Sequence, residues 1–181
     1  MFKTGHKILA AIIAITPSIV NIILFFISLY FISLRKTQEK KYLYYFFYWF
    51  MIMNLGQIYS NVYRSFELPG DFQVFAKGLN ISSYWVFIPG IFFVIYGCFI
   101  LLSYKIPQAY VILKISKLWK QALFLFNSLL VLFGYFGGLV YEIMHKTYFY
   151  LIYPILFILL FFLICFPKNR WVQNRILNIK H

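Results

Sequence analysis

From Ile8 to Leu34 the chain carries no charged side chain: ILAAIIAITPSIVNIILFFISLYFISL. A helix crosses a bilayer core of about 30 Å with about 20 apolar residues, so this run alone constrains the fold to one that can meet lipid. The rest of the chain agrees, with 63% hydrophobic, 24% aromatic and 12% charged residues and a mean hydropathy of +0.80. Such values lie outside the range of soluble domains. The sequence reads as an all-α, polytopic integral membrane bundle of one domain.

Five apolar segments meet the length requirement, at about 8–34, 43–63, 82–104, 121–141 and 148–166. The first contains Pro17 and is either one long helix bent at the proline or an entry element followed by a helix from Pro17, where proline suits a first turn. The second carries Trp49 inside it and Tyr42, Tyr44 and Tyr45 at headgroup level, a pattern of interfacial anchors. Pro89, Gly90 and Gly97 on the third permit bending or close helix contact. Only EIMHKT separates the fourth and fifth, which predicts a helical hairpin. Between the third and fourth lies KIPQAYVILKISKLWK, which predicts a short amphipathic surface helix or, failing that, a plain basic loop. A basic tail occupies 167–181.

The net charge of +13 would suit nucleic acid if it formed a stripe, but the Lys and Arg stand in short clusters between apolar runs, so no nucleic-acid partner is expected. Membrane topology accounts for them. Residues 35–41, 105–120 and the segment after Phe166 hold four basic residues each, whereas the first seven residues and 64–80 hold two each and 142–147 one. The rule that basic loops stay in the cytoplasm then predicts a multi-pass protein with its N-terminus outside and its C-terminus inside. The first segment is too long, and lacks an A-x-A site, for a cleaved signal peptide.

Against this background Asn54, Gln57, Asn61 and Arg64 stand out on the second segment. At 100° per residue they fall within a sector of about 80°, one face of a helix. Amides in hydrocarbon need partners. The face either fastens helices together by hydrogen bonds or lines a polar cavity, and Arg64 is near enough to the interface to snorkel. Four acidic residues complete the charges. Glu39 lies in a basic loop, Glu67 and Asp71 flank the Pro69–Gly70 turn signal, and Glu142 is followed by His145 at helical spacing. A single E-x-x-H pair falls short of the two that build a di-metal site. Cys98 and Cys165 read as lipid-facing or packing residues within apolar segments. Gly134 and Gly138 form a G-x-x-x-G that permits close helix packing, within the chain or between copies.

No H-E-x-x-H, G-x-S-x-G, P-loop or G-x-G-x-x-G occurs. Nevertheless KTGHKILAAIIAITPSIVN, a long apolar helix, a basic loop and then FMIMNLGQIYSNVYRSFELPGDF resemble the central part of site-2-type intramembrane zinc metalloproteases and their uncharacterised relatives. The resemblance covers roughly residues 5–100. It sets Thr16, Pro17 and Asn21 at that family's G-P-x-x-N helix start and Asn54, Leu55 and Asp71 at its Asn-Leu element and downstream zinc-ligand aspartate. Thr16 stands where the family has glycine, Asn21 is one residue too far from Pro17, and the helix with H-E-x-x-H is absent from this chain. The resemblance therefore implies a non-catalytic or truncated relative, or one subunit of a split enzyme in which Asp71 would be a metal ligand and zinc the cofactor.

Three functions follow as expectations. The first is a non-catalytic membrane protein that works in the lipid bilayer through a membrane-protein partner or self-association. The second is a small channel or carrier with a path along Asn54, Gln57 and Asn61, helped by Asn21, Ser28, Asn127 and Ser128. The third is the zinc-protease subunit.

Overall fold

In the computed structural model, residues 4–64, 71–135, 152 and 155–164 are described, and every regular element among them is helical. The elements are α1 (Thr4–Ser33), α2 (Arg35–Glu39), α3 (Lys41–Tyr63), α4 (Asp71–Leu79), α5 (Tyr84–Ile100), α6 (Ile106–Ile112) and α7 (Leu118–Leu129), with a shorter apolar helix α8 (Ile155–Ile164). Two π-helical segments, Leu101–Lys105 and Leu130–Tyr135, continue α5 into α6 and extend α7. Among the described residues, three helices are long and apolar enough to cross a membrane: Lys7–Ser33, Tyr84–Ile112 and Leu118–Tyr135.

The helical class is thus met, and three of the five expected spans are long and apolar enough to cross a membrane. The second, α3, has the length at 23 residues, but Lys41, three amides and its tyrosines dilute its apolar character. The fifth is described only in part. Residues 136–141 of the fourth segment, the EIMHKT connection with Glu142 and His145, and also Glu67, Pro69, Gly70, Gly138, Cys165 and the tail, lie outside the described residues.

α3 is the hub, packed against α1, α5 and the π-helical segment after α7. Its fully buried apolar residues Tyr44, Tyr48, Met51, Leu55, Ile58 and Val62 recur at alternating steps of four and three, the spacing of a helix that is packed along one seam. α1 answers with Ala11, Ser18, Phe25 and Ile32, all buried and one heptad apart. Close approach is carried by glycine. A Cβ on Gly97 would stand 2.6 Å from Leu55 Cδ1, and one on Gly90 2.6 Å from Val62 Cγ2. The α5 glycines and their α3 neighbours therefore repeat at the same interval of seven, so small residues let the two backbones meet without a hydrophobic drive that lipid cannot supply.

Three local features decide between the sequence readings or depart from them. α1 runs helically through Pro17 from Thr4 to Ser33, which selects the single-helix alternative. Asp71, expected in a turn, is the first residue of α4, where its carboxylate meets the positive end of the helix dipole; α4 docks on α1 at Gly78, whose added Cβ would lie 2.6 Å from Ala11 Cβ and 2.7 Å from the Lys7 carbonyl oxygen.

The third is a correction: residues 105–120 do not form one amphipathic surface helix. Lys105 to Ile112 continue the third span, with Ile106, Pro107, Ala109 and Tyr110 buried. Lys114 then takes a left-handed φ of 58°, and Ile115 N–H bonds the Tyr110 carbonyl at 2.8 Å while Lys114 N–H reaches Val111 O at 3.3 Å. This closing motif satisfies the orphan carbonyls at the end of α6, and α7 starts afresh at Leu118. The break lets Tyr110 turn back on Gln121, as described next.

Candidate functional site

On α3 the buried seam centres about 120° from the centre of the polar stripe at 100° per residue. The stripe therefore does not face the middle of the core; it flanks it, under α1. Asn54 is only 4% exposed, and its Nδ2 donates to the Phe50 carbonyl one turn back at 2.6 Å. Asn61 Nδ2 donates to Ser18 Oγ at 2.8 Å, and Ser18 is 1% exposed. This is the one member of the stripe that reaches another helix through a described bond. Gln57 is half-buried and makes no side-chain hydrogen bond to the described residues. Arg64 is half-buried at the end of α3, where its backbone N–H closes the helix on Ser60 O at 3.1 Å.

A second polar group, absent from the stripe, ties the end of the bundle that carries the 35–41 and 105–120 basic clusters. Tyr48 OH lies 2.7 Å from Ser128 Oγ; because Ser128 donates its only hydroxyl proton to Phe124 O at 2.8 Å, the tyrosine is the donor. Tyr44 OH donates to the Lys105 carbonyl at 3.4 Å, and Tyr110 OH to the Gln121 carbonyl at 3.1 Å. Gln121 Nε2 in turn donates to Ile115 O at 2.9 Å. Lys105 Nζ donates to Ser33 Oγ at 2.9 Å and to Gln108 Oε1 at 3.3 Å. At the end of α1, Gln38 Nε2 serves the Ile32 and Ser33 carbonyls, both at 3.2 Å, which would otherwise be unsatisfied. These bonds join α1, α3, α6 and α7.

The π-helical geometry makes that possible. A π turn shifts the helical phase, so that Leu101, Leu102 and Ser103 are buried in succession, as are Leu132, Phe133 and Gly134. The shift after Ile100 hands the Lys105 carbonyl to Tyr44. Nothing in LLSYK marks a π turn, and only Ser128 of this group was readable in advance as a polar companion. Of the others named from sequence, Ser28 bonds its own Leu24 carbonyl at 2.6 Å, Asn127 is exposed and Asn21 is half-buried.

Gly134 is buried, and a Cβ there would meet Leu130 of its own helix at 3.2 Å and Ile158 of α8 at 3.9 Å. It packs within the chain. Asp71, half-buried at the start of α4, has no companion ligands: among the described residues no three of His, Cys, Asp and Glu are grouped to hold a metal. Among the described residues Asp71 thus stands without a second zinc ligand beside it. Cys98, buried, lines an apolar cleft of about 290 Å³ between α5 and α8, with Tyr59 and Phe133. Its lining offers packing surface and no acid–base pair. The described half-buried or buried polar groups thus comprise the neutral hydrogen bonds within and between helices, the Lys105 ammonium, the Arg64 guanidinium and the Asp71 carboxylate. Comparisons with known proteins add no relative, since no family model, no curated protein and no solved structure matches the chain.

Proposed function

We propose that this chain is a non-catalytic integral membrane protein that acts by associating with a membrane-protein partner or with a second copy of itself. The observation that carries the reading is the commitment of the buried amides and hydroxyls to the chain's own backbone and side chains: Asn54 to Phe50, Asn61 to Ser18, Tyr48 to Ser128. A conducting path needs polar groups turned toward a passing solute at matched depth on several helices, and these are turned toward each other. What remains for outside contact is the exterior, where Tyr42, Tyr45, Phe46 and Met53 of α3 are exposed. Aromatic residues and Met are enriched where protein meets protein.

A photo-crosslinking amino acid at Phe46 of the membrane-embedded full chain, with Ile19 on α1 as the control position, tests the proposal. The expected result is a discrete adduct, either of doubled mass or with one defined protein, from position 46 and not from 19. Lipid adducts alone, accompanied by solute or ion flux in vesicles that Asn61→Leu abolishes without unfolding the protein, would overturn it in favour of the carrier reading. Stoichiometric zinc in the purified chain would instead favour the protease-subunit reading.

A further inference from the structure

At the basic end, Lys105 is held in an unusual position for a cation. It follows an uninterrupted apolar helix, is half-buried, and spends two of its three N–H groups on neutral acceptors, Ser33 Oγ and Gln108 Oε1. Among the described residues the one ion pair is Arg35–Glu39 at 3.3 Å. Glu39 is thus engaged on α2, and among the described residues no carboxylate neutralises Lys105.

The ammonium stands in a cleft of about 530 Å³ with two kinds of wall: Leu29 and Ile100 are apolar, while Ser33, Tyr104, Lys105 and Gln108 are polar. Ser33 also lines a neighbouring cleft of about 580 Å³ that Arg35, Gln38 and Glu39 border. Such a site is amphipathic in the same sense as a phospholipid, with an apolar wall continuing along the membrane-crossing helices and a cationic head at their end. Basic pockets between helices at the membrane edge are suited to anionic lipid headgroups.

We propose that the cleft between the end of α1 and the α5–α6 junction binds an anionic phospholipid, its phosphate on Lys105 Nζ with Ser33 and Gln108 beside it and its acyl chain against Leu29 and Ile100. The lipid completes the third N–H of Lys105 and supplies the counter-charge that none of the described carboxylates supplies there.

Native mass spectrometry of the full chain in detergent, with phosphatidylglycerol or phosphatidylcholine added at equal concentration, tests this. Phosphatidylglycerol should be retained about fivefold more, the worth of one lysine at an anionic headgroup. Lys105→Gln should bring the ratio close to one, and Lys120→Gln, which removes an exposed charge outside the cleft, should leave it unchanged. Ile100→Trp fills the apolar wall with the charge intact and should also lower phosphatidylglycerol retention; it decides the matter if Lys105→Gln does not fold. Equal retention of the two lipids, an equal loss with Lys120→Gln, no effect of Ile100→Trp, or displacement of the lipid by inorganic phosphate at millimolar concentration would each overturn the proposal.

Discussion

The two ends of the bundle are held together by different means. At the end where α4 docks, contact depends on absent side chains: Gly78 against Ala11 and Gly90 against Val62, with Asn61–Ser18 as the described side-chain bond between helices. At the basic end, bulky Tyr44, Tyr48 and Tyr110 fill the core, and their hydroxyls bond across elements. Lipid offers helices no hydrophobic reason to associate, so a membrane bundle is held by close backbone packing or by interhelical hydrogen bonds. This chain uses the first at one end and the second at the other, and the lesson is that a visible polar stripe need not mark the stronger polar contacts.

The comparison is broken most severely at the glycine end. Gly78→Ala drives a Cβ into the Lys7 carbonyl oxygen and Ala11 Cβ, neither of which can swing aside, so the expected loss is about 1–3 kcal/mol, read from reversible denaturant unfolding in detergent. Gly90 and Gly97 sharpen the same point. Val62 is β-branched and stiff, whereas Leu55 presents the end of a flexible side chain, so Gly90→Ala should cost about 1–2 kcal/mol and Gly97→Ala clearly less. If the order is reversed, the close approach of α5 to α3 is wrongly assigned.

At the basic end, Tyr48→Phe should lower stability by about 0.6–1.7 kcal/mol, the range measured for membrane interhelical hydrogen bonds. A double-mutant cycle with Ser128→Ala should recover most of that as coupling. Asn61→Leu should cost about 0.6 kcal/mol, and less in total than Gly78→Ala. Smallest is Gln57→Leu, which removes a half-buried amide without a described partner and should change stability by no more than about 0.5 kcal/mol in either direction. A loss above that would show that Gln57 is bonded in the membrane.

Much of the fold was legible because helices in lipid must satisfy their own backbone, which makes long apolar runs diagnostic. The run from Ile8 to Leu34 corresponds to α1, and Gly90 and Gly97 were rightly marked for close helix contact. Helical spacing sets the polar stripe on one face of α3, but periodicity gives a face and not what covers it. The direction of the core depended on Tyr44, Tyr48, Met51 and Leu55, which look no different in sequence from exposed Tyr45 and Phe46. The surface helix over 105–120 was misread because alternating Lys and apolar residues fit an interfacial helix as well as the end of one span and the start of the next. The decisive event was a left-handed Lys114, a conformation lysine seldom adopts and no pattern announces. The tyrosine and serine bonds were hidden for a different reason. Tyr44 and Lys105 stand 61 positions apart and Tyr48 and Ser128 stand 80 apart, so neither partner of either pair carries the signal alone.

The central claim is that Asn54 of the α3 amide face, only 4% exposed, is sealed inside the protein and does not face water. Single cysteines at position 54 and at position 36, placed in a variant free of native cysteines and reconstituted in vesicles, measure it directly through labelling by a membrane-impermeant thiol reagent applied to both sides. Position 36, on exposed Lys36 of α2, should label rapidly. Position 54 should remain unlabelled until the protein is unfolded. Labelling at 54 at a rate comparable to that at 36 in the folded protein would place the stripe on a water-filled path and contradict the account.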